Sequence, residues 1–224
     1  MSGFLADNND ASLRERLREA TAALHASVET RLDIDAGIVT PSDYAALLSR
    51  FLGFYAPVER GLSQLDWRDS GFDFSKRLKV GWIKADLADF GVDDEAAAAL
   101  PEIPNVPQPE TILDGLGVFY VLEGATLGGQ VVLRRLGPRL GIHPCFGGRF
   151  FSSYGSDVGR MWREYLSVLG PFGRKDCEAA AIERAAIRTF SAFDVWLSAS
   201  TANALGDRRL AALGAGTAAR LPHE

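Results

Sequence analysis

Apolar residues recur along this chain at spacings of three and four, and the repeat is helical almost from end to end. Leu13, Leu17, Leu24, Val28 and Leu32 form the first stripe, and the Ser12-Leu-Arg-Glu15 box ahead of it has the form that satisfies free amides at a helix start. Thr40-Pro41-Ser-Asp43 opens a second helix with a cap, a proline at its first position and an acid in its first turn. Tyr44, Leu47, Leu48, Phe51, Leu52, Tyr55 and Val58 make its apolar face, and Pro57 predicts a bend. A third helix is expected over about 77–90, stopped by Gly91. Residues 101–109 hold four prolines and predict an extended crossing segment. A long helix follows over about 110–136, with Gly137-Pro138 as its stop. Residues 141–155 read as a loop, and 156–169 and 175–200 as two more helices. The pattern contains no long alternating run and no internal repeat, so it predicts an all-α bundle. The expected division is a flexible N-terminus over 1–11, one domain over 12–205, and a tail over 206–224 that forms a short helix or frays.

The fourth long helix departs from good helical composition. Residues 120–131 read Tyr-Val-Leu-Glu-Gly-Ala-Thr-Leu-Gly-Gly-Gln-Val, with Gly115 and Gly117 just upstream. A glycine inside a helix costs roughly 1 kcal/mol relative to alanine, so three cost about 3 kcal/mol. That is a large part of a stability that is typically about 5–15 kcal/mol. No Asn-Gly or Pro-Gly turn signal accompanies them. Something must therefore approach this backbone closely. Gly124 and Gly128 share one helical face, and a bare face admits either a second helix or a flat ligand.

Composition narrows the classes. The chain of 224 residues has 47% hydrophobic and 24% charged residues, the balance of a globular protein. A net charge of −5 argues against a nucleic-acid surface. No run of 18 apolar residues predicts a membrane span, and the first residues lack the form of a secretory leader. Cys145 and Cys177 have no metal or disulfide spacing, which fits a reducing cytoplasm. Of the three histidines, His223 lies near the chain end and His143 precedes Pro144. His25 alone sits in a well-defined helix. It reads either as a partly buried structural histidine or as the single axial ligand of a haem iron. A glycine-faced helix opposite it would supply the second wall a haem needs.

These residues together resemble a known family. Residues 17–29, Leu-Arg-Glu-Ala-Thr-Ala-Ala-Leu-His-Ala-Ser-Val-Glu, resemble the proximal helix of haem oxygenases, and 119–131 resemble their kinked distal helix. Arg77-Leu-Lys79 with Asp86-Leu87, Trp162-Arg163, and 186–190 followed by Trp196-Leu197 resemble further segments, so the likeness spans about 12–200. The Glu-Gly-x-x-Leu-Gly-Gly form is most similar to bacterial members, those partnered with bacterial phytochromes especially.

The resemblance implies an all-α, single-domain fold with haem between the proximal and distal helices. It implies that haem, both substrate and cofactor, is cleaved with O2 and electrons from an external reductase or ferredoxin. The products are biliverdin, CO and Fe2+. A redox partner protein is implied, and a bacterial phytochrome is a candidate recipient of the biliverdin. His25 is the expected iron ligand, with Glu29 one turn on as acceptor for its other ring nitrogen. Gly124, Gly128 and Gly129 are the expected open wall. Many animal members carry a carboxylate where this chain has Ala125, so another polar group must serve the oxygen side. Arg18, Arg163, Arg160 and Tyr120 are candidates for the haem propionates. Phe190 and Phe119 are candidates to pack near the ring. The alternative function is a haem- or bilin-binding protein of the same fold without turnover. A bundle that binds no haem ranks last, because neither cysteine has an obvious activating partner.

Overall fold

The computed structural model describes residues 6–32 and 34–199, and every described element is helical. The α-helices are α1 (Ala6–Leu32), α2 (Pro41–Leu62), α3 (Val80–Asp89), α4 (Asp94–Ala98), α5 (Ile112–Leu140), α6 (Arg149–Ser152), α7 (Val158–Leu169) and α8 (Asp176–Ala199). Short 3-10 turns cover Phe74–Arg77, Gly155–Asp157 and Gly170–Arg174. The expected C-terminal tail lies outside the described residues.

Where a cap is strong the sequence reading places the helix start well. Thr40 accepts from the Asp43 amide at 3.1 Å, and the Asp43 carboxylate accepts from the Thr40 amide at 2.7 Å. Thr111 and Asp114 repeat this box at the start of α5. The Ser12 box does not start a helix, because α1 already runs from Ala6. A box closes an end only if the residue before it leaves helical geometry. The 77–90 helix shortens to α3, with a 3-10 turn ahead of it, and the 141–155 stretch contains α6. Gly137-Pro138 does not stop α5, which continues to Leu140 and ends on left-handed Gly141 (φ 70°). Pro57 likewise lies within α2. It has no N–H to offer the Gly53 carbonyl, which accepts instead from the Ile103 amide at 3.0 Å. The proline-rich segment is thereby fastened across α2.

Helix α8 is the hub. It packs extensively on both α1 and α5, whereas α1 and α5 scarcely approach each other. Gly117 makes the α5–α8 contact close: a Cβ there would lie 2.3 Å from the Ile182 carbonyl oxygen. By length and mean hydropathy (1.4) α5 could cross a membrane, but half of that stretch is buried inside the bundle. Its apolar surface is accounted for by α6, α7, α8 and the wall of a cavity.

Candidate functional site

The gap between α1 and α5 is a cavity of about 1130 Å³. That is slightly above the range of ordinary ligand pockets, about 300–1,000 Å³, and large enough for a flat ligand of porphyrin size. Thr21, Ala22, His25, Val28 and Glu29 line it from α1, and Gly124, Ala125, Leu127 and Gly128 from α5. Its depth is aromatic: Phe51, Phe54 and Tyr55 come from α2, Phe150 and Phe151 from α6, Phe190 and Phe193 from α8.

The glycines divide by what stands opposite them. A Cβ at Gly128 would meet nothing within 4 Å, and one at Gly124 would meet only Trp162, at 4.0 Å. Among the described residues no second helix packs closely on that face. Gly129 lines the cavity but is a packing glycine, since its Cβ would fall 2.8 Å from the Phe151 carbonyl oxygen. Gly115 is another, pressed against Trp67 at 2.7 Å. Of the small-residue alternatives, close packing thus holds at 115, 117 and 129, and open space at 124 and 128.

His25 is the imidazole on the opposite wall. Its side chain is 57% exposed, and its Nδ1 lies 3.6 Å from Glu29 Oε2, the contact that helical i, i+4 spacing allows. Phe190 meets the ring edge-on with centroids 5.9 Å apart. Arg18 and Tyr120 line one end of the cavity together. Burial raises the Tyr120 phenol above its usual range, against the pull of the Thr21 side chain and the charges of Arg14 and Arg18. Arg160 and Arg163 do not line the cavity. Arg160 is held by Asp157 at 3.0 Å and Glu164 at 2.5 Å, its neighbours on the helical surface. Arg163 is exposed on the same helix. Phe119 is fully buried against Trp67 and Phe72, in the core rather than at the cavity.

Sequence reasoning missed a cluster of buried charges behind the distal wall. Glu123, fully buried, immediately precedes Gly124. It accepts from Arg77 Nη1 at 2.6 Å, Lys79 Nζ at 2.7 Å and Tyr154 OH at 2.7 Å. Lys79 is 1% exposed, also donates to the Arg77 carbonyl at 2.8 Å, and borders the cavity. Burial lowers its pKa, against the pull of Glu123. Glu59 caps the start of α3 by accepting from the Lys79 amide at 2.5 Å, and burial raises its pKa. Tyr55 is buried at the cavity wall, and its phenol lies within electrostatic reach of Glu59 and Glu123. One sequence signal existed: Glu123 falls on the apolar face that also carries Leu116 and Phe119.

Asp86 positions the other side of the pocket. Its buried carboxylate accepts from the Arg149 amide at 2.9 Å and the Phe150 amide at 2.8 Å. That holds α6 so that Phe150 and Phe151 face inward. Gln130 ties α6 to α5 by donating to the Ser152 carbonyl at 2.6 Å.

An imidazole faces a side-chain-free helical strip across a large apolar cavity, which fits an axially ligated porphyrin. A haem oxygenase of Neisseria meningitidis, solved with NO and CO bound, has a similar fold at a TM-score of 0.70. It is 19% identical, and the likeness covers 85% of this chain and 92% of that one. No curated protein sequence matches significantly. The haem oxygenase family matches over residues 11–199, and the chain belongs to that family.

Proposed function

We propose that this protein is a haem oxygenase that opens haem to biliverdin, releasing CO and Fe2+, with electrons from an external reductase or ferredoxin. The observation that carries this reading is the open space over Gly124 and Gly128, across the cavity from His25. Helix glycines that admit no second helix leave room for a flat ligand. Bound haem supplies the iron at which dioxygen is reduced and the meso carbon that is oxidised.

The chain's own residues then have separable tasks. His25 would hold the iron as neutral imidazole, and Glu29, 3.6 Å from Nδ1, would close on that nitrogen to orient the ring. A neutral ligand lacks the electron push of a thiolate, which suits oxidation of the ring itself. Arg18 and Tyr120 take the propionates at their end of the cavity. The aromatic depth excludes water from the ring. Ala125 has no polar side-chain atom, so we assign Tyr55, among the hydroxyl residues lining the cavity, to hydrogen-bond water there. Behind it, Glu123, Lys79 and Tyr154 form a continuous hydrogen-bonded set that holds the start of the glycine strip in place. A cytoplasmic setting fits two free cysteines. A bacterial phytochrome as recipient of the product rests on the Glu-Gly-x-x-Leu-Gly-Gly pattern.

Adding hemin to the purified protein tests the reading. A histidine-ligated Soret band is expected, lost in His25→Ala and restored by added imidazole. With a ferredoxin system, a red-absorbing band grows as the Soret band falls. A wild-type protein that takes up no hemin at micromolar concentration ends the proposal. Uptake without turnover selects the binding-protein alternative that Ala125 raises.

A further inference from the structure

The two walls of the cavity are joined at one end by a strap that the haem-binding reading does not use. Helices α1 and α5 run alongside each other in the same sense: Arg18 neighbours Tyr120 at one end, and the chain after α1 meets α5 at the other. The interval from Tyr120 to Arg135 is about 22 Å at 1.5 Å per residue. At that far end Arg135 Nη1 donates to Asp35 Oδ2 at 2.9 Å. One turn on, Arg139 donates to the Ile38 carbonyl at 3.0 Å and to the Asp35 carbonyl at 3.3 Å. Ile34, Asp35, Val131, Val132 and Arg135 all border the cavity. At the near end Tyr120 and the Thr21 side chain are hydrogen-bonded, and between the two ends each wall rests mainly on α8.

We infer that residues 34–38 with Arg135 and Arg139 form a clasp that controls how tetrapyrrole enters and leaves, and this rests on the haem-binding reading. The geometry is that of two arms hinged on α8 and fastened across their open edge. Ring insertion between α1 and α5 requires the arms to part, and the fastening crosses that edge with polar contacts. The Arg135–Asp35 pair is 57% and 69% exposed. Such a pair opens cheaply and is weakened by salt, since the screening length falls from about 10 Å at 0.1 M to about 3 Å at 1 M. Arg139 adds two charge-assisted contacts to backbone, so the strap is located even when the ion pair is open. A fastening of this strength suits repeated opening in each catalytic cycle.

Arg135 could instead hold a propionate directly, and one variant separates the two roles. In a clasp, Asp35→Ala unfastens the strap. If Arg135 is a propionate ligand, the same change frees it and tightens binding. Hemin release is measured by transfer to excess apomyoglobin, which needs no turnover. The clasp predicts release about two- to five-fold faster in Asp35→Ala and in Arg135→Ala, the scale of one exposed ion pair. The double variant should be no faster than either single, because both remove the same contact. Arg135→Ala should also lose part of the wild-type acceleration by salt. Release that is unchanged or slower in Asp35→Ala overturns the clasp, as does additive acceleration in the double variant. Failure of the wild type to bind hemin at all would instead count against the proposed function.

Discussion

Replacing Gly128 and Gly129 in turn by alanine separates a glycine kept for a ligand from one kept for packing. A Cβ at 128 enters open space, so Gly128→Ala gains the full helical preference, roughly 1 kcal/mol. For a chain of this size that raises the apo-protein Tm by about 2–4 °C. A Cβ at 129 lands 2.8 Å from the Phe151 carbonyl oxygen, on backbone that is itself held by the Gln130–Ser152 contact. Overpacking of that kind costs about 1–3 kcal/mol, which exceeds or cancels the helical gain. Gly128→Ala therefore raises the apo Tm, whereas Gly129→Ala leaves it unchanged or lowers it.

Hemin then reverses the order. Haem at 100 times its Kd stabilises the wild type by about 2.7 kcal/mol. A methyl group projecting from the distal wall that weakens binding tenfold removes about 1.4 kcal/mol of that. Gly128→Ala should thus melt above the wild type without hemin and at or below it with hemin. Thermal melts followed by circular dichroism, with and without hemin, read both effects. An apo Gly128→Ala protein less stable than the wild type would show that a neighbour fills the space. A Tm gain that hemin leaves unchanged would show that the face is open for no ligand.

Two further predictions concern charges. Glu123→Leu leaves Arg77 and Lys79 buried without their shared anion, at a cost of about 3–5 kcal/mol, read as a fall in urea midpoint. Adding Lys79→Met should recover part of that loss, and a double variant weaker than Glu123→Leu would refute the account. Asp194 ties α8 to α1 by accepting from Arg31 at 2.6 Å and from Ser27 at 2.7 Å, and the Arg31 contact holds its pKa below the usual 3.8. A carboxylate depressed in the folded state contributes stability above its unfolded pKa and loses it as pH falls through the folded one. The difference in urea midpoint between wild type and Asp194→Asn, worth about 1 kcal/mol at most for so exposed a partner, should persist at pH 6 and vanish well below pH 3.8.

How much of this was legible in the sequence depended on whether the signal was local. The start of the helix over Pro41–Leu62 could be placed because period and boundary residues agree there. Thr40 and Thr111 meet their acids three residues later, within one turn. Gly137-Pro138 misled because a proline near the end of a helix removes a single donor, and the next left-handed position, Gly141, is where the chain turns. Arg160 misled although its answer was close by: Asp157 and Glu164 stand three before it and four after it, where helical neighbours neutralise one another. The Arg77–Lys79–Glu123–Tyr154 cluster spans 77 positions, and in a sequence its members look like ordinary surface charges. Only the place of Glu123 on an apolar face marks it as buried.

The glycines show why the functional reading needed a structure. Composition assigns the same helical cost to Gly115, Gly117, Gly124, Gly128 and Gly129, and cannot say what offsets it. At 115, 117 and 129 the offset is visible as ring or backbone atoms standing where a Cβ would be. At 124 and 128 the described residues offer no such neighbour, so within that part of the chain these two glycines only destabilise α5. A cost without a compensating contact in the folded chain calls for a contact with something else. The cavity places that something between the strip and His25, both of which line it.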